Sequence, residues 1–346
     1  MSDSVLDRGG AVREGEGLDA AAVTAWLEAQ GVVLEGSAAV TQFAGGASNW
    51  TYRLEYANRD LILRRPPSGT KAKGAHDMGR EYTVQSALRP IYPYVPNMVG
   101  FCSDVSVIGS EFYVMDRIAG IIPRKNLPPG MTLSPAQTRQ LCRNMLDRLI
   151  ALHRVDVRAT PLEKLGKGSG YVQRQIDGWN ARWAKDVQDW LKANMPNDVA
   201  NGVIHNDWRF DNLVLSAEDP TQIIGVLDWE MATLGDPLME LGCVIAYWSQ
   251  AGDDRIAQFM RRQPTHLPGM FTRREVVDYY LEHSGLKCDN WAFYEAYGLF
   301  RLAVIIQQIY YRYHHRQTHN PAFKPFWIMA NYLGWRARRV IKKANH

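Results

Sequence analysis

Alternation of apolar and polar positions marks the first third of the chain, and helical spacing marks much of the remainder. Tyr52, Leu54 and Tyr56 alternate with more polar positions, which is typical of a half-buried strand, and Leu61–Arg64 is predicted to be a further apolar strand. From Ser134 onward the apolar residues recur at helical spacing. The pattern therefore predicts a small antiparallel sheet followed by a larger, mainly helical region, which is an α+β fold.

The ends of several elements can also be predicted. Asp19 precedes a helical pattern that ends at Gly31, and Ser134 is followed by Gln137 at the spacing of a capping box. The predicted helices are Leu18–Gln30, Gly79–Leu88, Ser134–His153, Tyr171–Leu191, Phe293–Tyr313 and Phe326–Ile341. The other predicted strands are Val99–Cys102 and Glu111–Met115.

The segment Val203–Gly242 carries the residues with the clearest chemical meaning. His205, Asp207 and Asn212 lie in one predicted loop with the spacing H-x-D-x-x-x-x-N, and Asp228 follows the second of two apolar strands. Asp207 could accept the proton of a substrate hydroxyl, while Asn212 and Asp228 offer the hard oxygen ligands that Mg²⁺ prefers. Each of these residues alone would more often be a cap or a turn residue. Their combination instead indicates phosphoryl transfer.

Further motifs follow the order found in one family of enzymes. Together they resemble the aminoglycoside phosphotransferase/choline kinase family, and most closely its branch related to the kinase-like domains fused to acyl-CoA dehydrogenases. The segments that carry the resemblance are Phe43–Leu54, Leu61–Gly69, Arg80–Tyr82, Phe112–Gly120 and Val203–Gly242. The resemblance implies a two-lobed protein-kinase-like fold, with ATP and Mg²⁺ as cofactors.

The resemblance also predicts how the chain divides. Residues 1–17 are expected to form a disordered tail, residues 18–116 an N-terminal nucleotide-binding lobe, and residues 117–346 a C-terminal lobe for catalysis and acceptor binding. Met115 and Asp116 end the strand that leads into the second lobe. The resemblance implies that backbone groups at these two residues pair with the adenine edge.

The glycine-containing segment before Tyr52 is a candidate phosphate-binding loop. Gly45 and Gly46 would let backbone N–H groups approach a phosphate closely, and Ser48 and Asn49 could add side-chain donors. Because the segment lacks the G-x-G-x-x-G pattern of protein kinases, an ordinary hairpin turn stays open as the alternative.

Arg64 stands where kinases carry a lysine that holds the ATP phosphates. Glu81, at the start of the next predicted helix, would be its ion-pair partner. Arginine keeps the positive charge of lysine but presents a planar guanidinium, and Arg65 should point to the opposite face of the strand. The alternatives are a solvated basic strand end and a carboxylate that is favoured by the helix dipole.

Several positions around the proposed catalytic loop depart from the family pattern or have more than one interpretation. Asn206 stands where the family commonly has Gly, and Glu240 where Asp is frequent. Asp236 could cap the following helix or help to brace the catalytic loop. Trp208 and Arg209 could face the substrate or could be exposed loop residues.

Composition limits the possible partners. A net charge of +4 over 346 residues is mild and argues against nucleic acid as a partner. The four cysteines form no C-x-x-C pair, so we expect reduced thiols in a cytoplasmic protein rather than a zinc site or a disulfide framework. No signal peptide and no apolar run of membrane-spanning length is recognised, so no membrane partner is expected. The oligomeric state stays unknown.

These observations predict an ATP- and Mg²⁺-dependent phosphotransferase with a small-molecule hydroxyl as acceptor. An aminoglycoside acceptor is not expected, because the C-terminal end offers few of the carboxylates that a polycation needs. A kinase-like nucleotide-binding module without transfer activity is the alternative. A protein kinase is disfavoured, because Gly235-Asp236-Pro237 follows Asp228 too soon to leave room for a long activation loop.

Overall fold

The computed structural model describes residues 6–43, 49–67, 77–179 and 182–345. The chain divides into two compact units. Unit 1 takes its residues from Met1–Ile122, Ala159–Leu162 and Leu213–Glu230. Unit 2 takes its residues from Pro123–Arg158, Glu163–Asn212 and Met231–His346.

The described residues form strands and helices of both units. The strands are β1 (Ala39–Gln42), β2 (Trp50–Glu55), β3 (Asp60–Arg65), β4 (Met98–Cys102), β5 (Phe112–Asp116), β6 (Gly202–Ile204), β7 (Leu213–Leu215), β8 (Ile223–Val226) and β9 (Thr233–Gly235). The helices are α1 (Ala20–Ala29), α2 (Met78–Leu88), α3 (Pro135–His153), α4 (Tyr171–Gly178), α5 (Lys185–Ala193), α6 (Pro237–Tyr247), α7 (Arg255–Met260), α8 (Arg273–Ser284), α9 (Trp291–His314) and α10 (Phe326–Ala344).

Unit 1 is built on an antiparallel sheet with the strand order β1-β2-β3-β5-β4. Tyr52 and Leu54 of β2 are fully buried and share a core with Val23 and Leu27 of α1. The opposite face contributes Ile62 and Tyr113, which pack against Met78 of α2. The alternation predicted from the sequence is therefore confirmed, since one set of positions faces α1 and the other faces α2.

A second, two-stranded sheet of unit 1 consists of β7 and β8. Leu215 pairs with Ile121, and the backbone nitrogen of Val226 donates to the carbonyl of Tyr94 at 2.8 Å. These backbone contacts attach the hairpin to unit 1. They fix the end of β8, from which the chain continues to Asp228.

Part of the segment that was expected to be a disordered tail makes defined contacts. Residues 1–5 lie outside the described residues. Gly10 pairs with Gln42 at the edge of the sheet, and the Tyr52 hydroxyl donates to the carbonyl of Glu16 at 2.7 Å. The expectation of a tail is therefore corrected for this part of the segment, because a free sheet edge offers backbone partners to a polar chain.

Unit 2 is mainly helical, and α6 lies at its core. Every residue of α6 from Pro237 to Ala246 is buried. Gly242 of α6 faces Gly298 of α9, and a Cβ atom at Gly298 would collide with the carbonyl of Gly242. The two glycines therefore let the helices approach closely. The short strands β6 and β9 pair antiparallel beside this core.

The predicted helices α1, α2, α3, α9 and α10 are confirmed, but the single helix predicted over Tyr171–Leu191 is wrong. Helix α4 ends at Gly178, and the next residue, Trp179, has extended backbone angles of φ −89° and ψ 127°. Helical structure resumes in a short 3₁₀ turn at Arg182–Ala184 and continues as α5. The low helix propensity of Gly178 explains the break, which the aromatic spacing concealed. No helix within the described ranges is both long and apolar enough to cross a membrane.

Candidate active site

The loop after β6 brings Asp207 and Asn212 together in unit 2. The Nδ2 atom of Asn212 donates to Oδ2 of Asp207 at 3.0 Å and to the Asp207 carbonyl at 2.8 Å. A carboxylate and a carbonyl can only accept, so the amide nitrogen must face them. The amide oxygen of Asn212 is therefore the atom left for a cation.

Asp207 has a second side-chain partner in the same loop. Nη2 of Arg209 lies 2.9 Å from Oδ2 of Asp207, and Nε of Arg209 lies 3.3 Å from Oδ1 of Asp211. The guanidinium lies over the Tyr247 ring at 4.8 Å. Burial raises the pKa of the Asp211 carboxyl, and the charge of Arg209 acts in the opposite direction. Arg209 is therefore tied to the loop and is not an exposed residue.

The turn that carries Asp207 needs an unusual backbone conformation at Asn206. Its φ is +66°, in the left-handed region that glycine and asparagine tolerate better than other residues. The Tyr171 hydroxyl and Oδ1 of Asn206 are 3.3 Å apart, and Nδ2 of Asn206 donates to the Met231 carbonyl at 3.1 Å. This conformation explains why asparagine can replace the glycine that the family commonly has here.

Glu240 of α6 braces the loop from His205 to Asn212, the proposed catalytic loop, through its backbone. One carboxylate oxygen accepts from the His205 nitrogen at 3.0 Å, and the other accepts from the Asn206 nitrogen at 2.5 Å. His153 contacts the same carboxylate at 2.7 Å, and its other ring nitrogen lies 2.5 Å from the Tyr280 hydroxyl. Burial acts to raise the pKa of Glu240, but the hydrogen bond and charge of His153 and the contacts of His205 outweigh it and lower that pKa.

Asp236, which the sequence left as either a cap or a brace, acts as a cap. Its Oδ1 accepts from the backbone nitrogens of Leu238 and Met239, at 2.8 and 3.1 Å. Its Oδ2 accepts from the Val199 nitrogen at 2.7 Å. The bracing carboxylate of the catalytic loop is Glu240 instead.

Unit 1 brings Arg64, Glu81 and Asp228 together. Nη1 of Arg64 lies 3.4 Å from Oε2 of Glu81, and Nη2 lies 3.0 Å from Oδ1 of Asp228. The side chains of Arg64 and Glu81 are 9% and 2% exposed, so this is not a solvated strand end. Arg65 points to the other face, where its guanidinium lies over the rings of Trp50 and Tyr52.

Glu81 is surrounded by donors in a buried position. The Tyr113 hydroxyl donates to Oε2 at 2.8 Å, and Nδ2 of Asn49 donates to Oε1 at 2.9 Å. Burial raises the pKa of Glu81 above its ordinary value, although Arg64 and both donors favour the charged form. The carboxylate is thus held by hydrogen bonds in addition to its ion pair.

Asn49 also connects Glu81 to a residue that the sequence analysis did not select. Its Nδ2 atom lies 3.3 Å from Oε2 of Glu230, and Nη1 of Arg80 donates to the Glu230 carbonyl at 3.0 Å. Glu230 comes two residues after Asp228, so Asn49, Glu81, Arg64 and the Asp228–Glu230 segment form a closed ring of contacts. In the sequence, Trp229-Glu230 directly after Asp228 could have drawn attention to Glu230, but the dipeptide does not indicate that Asn49 is its partner.

The other expected site residues have simpler positions. Gly45, Gly46 and Ser48 lie outside the described residues. Met115 is buried on β5 and pairs with Ile62 and Met98. The carboxylate of Asp116 is taken by Arg59 and Asn97, both at 2.7 Å.

An open cavity lies in unit 2, with Arg209 in its wall. Aliphatic side chains of α9 and α10 line it, including Ile305, Ile309 and Leu333. Arg262 and Arg336 add two further cations. Among the residues that the structure describes, none makes a hydrogen bond or an ion pair with Arg336. Burial and the nearby charge of Arg273 lower the pKa of Arg336.

Comparison with known proteins agrees with these features. The model of the phosphotransferase enzyme family matches residues 39–276. The chain is 33% identical to human acyl-CoA dehydrogenase family member 11 over 302 residues, which is 83% of this chain and 38% of that protein. The chain thus spans well under half the length of this curated relative.

Solved structures show the same fold. A candidate aminoglycoside phosphotransferase from Ralstonia eutropha is 30% identical, with a TM-score of 0.74, over 93% of this chain and 99% of that one. An aminoglycoside phosphotransferase in ternary complex with AMP-PNP and hygromycin B is 12% identical, with a TM-score of 0.56, over 93% and 98% of the two chains. The expected protein-kinase-like α+β fold is confirmed by these matches. The chain therefore belongs to the phosphotransferase enzyme family, in the branch similar to the kinase-like domains fused to acyl-CoA dehydrogenases.

Proposed function

We propose that this protein transfers the γ-phosphoryl group of ATP to a hydroxyl of a small molecule, with Mg²⁺. The observation that carries the proposal is the Asp207 carboxylate, which Asn212 holds at 3.0 Å in an H-x-D-x-x-x-x-N loop. The Arg64–Glu81–Asp228 cluster of unit 1 supports it, as does the similarity in fold to a phosphotransferase bound to AMP-PNP.

Asp207 would act as the base. Its carboxylate takes the proton of the acceptor hydroxyl while the hydroxyl oxygen forms a bond to the γ-phosphorus. The bond from that phosphorus to the bridging oxygen breaks, and ADP leaves with the bonding electrons. Because such transition states are loose, positioning and charge stabilisation contribute most of the catalysis.

The donor chemistry of the chain fits Mg²⁺. Asn212 would offer its amide oxygen and Asp228 its carboxylate, which are the hard oxygen ligands this ion prefers. In unit 1, Asp228 belongs to the same ring of contacts as the carboxylates of Glu81 and Glu230, and neighbouring carboxylates favour a bound cation. When bound, the ion would neutralise charge on the phosphates.

The remaining contacts to the nucleotide are the ones that the family resemblance implies. Arg64 would bind the phosphates, with Glu81 holding its guanidinium in place. Gly45, Gly46, Ser48 and Asn49 would cover the phosphates, and Met115 and Asp116 would meet the adenine edge. Residues 18–116 would serve as the nucleotide-binding lobe, and residues 117–346 as the lobe for catalysis and acceptor binding.

The cavity of unit 2 favours an acceptor that is not an aminoglycoside. Three arginines, Arg209, Arg262 and Arg336, lie in a wall that is otherwise largely apolar. A polycation would be repelled there, whereas an anionic or neutral hydroxylated molecule with an apolar part would be accommodated. A hydroxyacyl thioester is an acceptor of this kind.

The experiment is ATP consumption against a panel of hydroxyacyl thioesters, amino alcohols, sugars and aminoglycosides, with Asp207→Asn as the control. We expect turnover of a hydroxylated acceptor that falls about 100- to 10,000-fold in the variant. Mg-ATP binding is measured by calorimetry alongside. Binding without any turnover would favour a nucleotide-binding module without transfer activity, and turnover of an aminoglycoside would contradict the acceptor class.

A further inference from the structure

Arg209 contacts both the proposed base and the cavity of unit 2. Its Nη2 atom lies 2.9 Å from Oδ2 of Asp207, and its Nε atom lies 3.3 Å from Oδ1 of Asp211. The same side chain lines the cavity beside Tyr247. One cation therefore touches the carboxylate proposed to react and the space in which an acceptor would bind.

One oxygen of Asp207, Oδ2, already accepts two hydrogen bonds and so has no free lone pair for a substrate proton. Oδ2 accepts from Nη2 of Arg209 at 2.9 Å and from Nδ2 of Asn212 at 3.0 Å. A carboxylate oxygen has two lone pairs, so both are engaged in this arrangement. The contact with Asp207 uses Nη2 and the contact with Asp211 uses Nε, so Arg209 can exchange the first for another anion while it keeps the second.

We propose that Arg209 determines acceptor specificity by exchanging its hydrogen bond to Asp207 for one to an anionic group of the acceptor. The exchange frees a lone pair on Oδ2 for the hydroxyl proton. That proton then passes to Asp207, the hydroxyl oxygen bonds to the γ-phosphorus, and ADP leaves with the electrons of the broken bond. A neutral acceptor lacks the group that draws Arg209 away. The inference rests on the proposed function, since it takes Asp207 as the base.

The experiment compares two acceptors of matching length and shape, one with a terminal carboxylate and one with a neutral carboxamide. An ω-hydroxyalkanoate of medium chain length and the matching ω-hydroxyalkanamide are measured with the full chain and with Arg209→Met and Arg209→Lys. Calorimetry gives the dissociation constant of each compound, and coupled ADP release gives kcat and KM. Arg274→Met on α8 is the matched control, because Arg274 is 85% exposed and pairs only with Asp278 among the described residues.

We expect Arg209→Met to weaken binding of the alkanoate, and to lower its kcat/KM, by about 10- to 100-fold. The dissociation constant of the alkanamide should change by less than about threefold, and its kcat should rise, because loss of the Arg209 side chain frees Oδ2 of Asp207 without an anion. Arg209→Lys should keep part of the preference for the anion. An equal loss for both compounds would overturn the inference and make Arg209 a positioning residue for Asp207. Charge discrimination in binding without turnover of any acceptor would instead contradict the proposed function, while the anion contact of Arg209 would stand.

Discussion

Glu240 holds the backbone of two consecutive residues, His205 and Asn206, with one carboxylate oxygen on each nitrogen. The fully buried carboxylate also contacts His153, the last residue of α3. Because Asp207 follows directly, the direction of its side chain depends on this clamp. Glu240 therefore acts on the proposed base through the backbone.

Removing the charge of Glu240 should loosen the loop. Glu240→Gln keeps the shape of the side chain but replaces one acceptor oxygen with an N–H₂ group, which would face a backbone donor or His153. We expect the free energy of unfolding to fall by about 1–3 kcal/mol and kcat to fall more than KM rises. Urea denaturation and steady-state kinetics measure both. Glu282→Gln, at an exposed position of α8, is the control, and similar behaviour of the two variants would contradict the clamp.

The same carboxylate predicts a pH dependence of stability. The folded-state pKa of Glu240 lies below its ordinary value of 4.5, so its stabilising contribution is complete above about pH 4.5 and is lost as the pH falls through the lower, folded-state pKa. The difference in unfolding free energy between the native chain and Glu240→Gln should therefore shrink as the pH falls below about 4.5. Urea denaturation at a series of pH values tests this, and a difference that grows on acidification would refute it.

Asn206 should tolerate glycine better than alanine. Both substitutions remove the side-chain contacts with Tyr171 and Met231, but only alanine introduces steric strain at a φ of +66°. We expect Asn206→Gly to be more stable than Asn206→Ala by about 1 kcal/mol, and to retain more activity. Denaturant unfolding of the two variants measures this difference. Equal stabilities would mean that the left-handed conformation at residue 206 is not required.

Asn49 should be sensitive to a negative charge. Its amide nitrogen separates the carboxylates of Glu81 and Glu230, so Asn49→Asp would place a third carboxylate between them. We expect about 2–4 kcal/mol of destabilisation and a higher KM for ATP, because the partner of Arg64 would be displaced. Asn201→Asp, at an exposed position, is the control.

A double-mutant cycle tests whether Asn49 and Glu230 act together. Asn49→Asp and Glu230→Gln are measured singly and combined, and the combined variant should recover about 0.5–3 kcal/mol of the summed losses. The recovery is expected because Glu230→Gln removes one of the charges that repel the new carboxylate. Strict additivity of the two effects would show that Asn49 and Glu230 are not coupled.

The sequence alone determined the features that depend on residues close together in the chain. Alternation around Tyr52 and Leu54 predicted a sheet with two different faces, because successive side chains of a strand point in opposite directions. Asp207 and Asn212 lie in one loop, so their spacing was enough to predict that they meet. The capping box at Ser134 and Gln137 was likewise a local signal, and the structure contains it.

The tertiary structure decided the contacts between distant segments. Asn49 and Glu230 are 181 residues apart, and Tyr280 and His153 are 127 apart, so no local pattern relates them. Asp236 and Glu240 illustrate the same limit, since both carboxylates belong to the start of α6. Asp236 lies at the N-cap, where free backbone N–H groups are close, whereas Glu240 is one turn further along and faces the loop after β6. Only the packing of α6 in unit 2 determines which of the two braces the catalytic loop, because that depends on which helix face is buried against the loop.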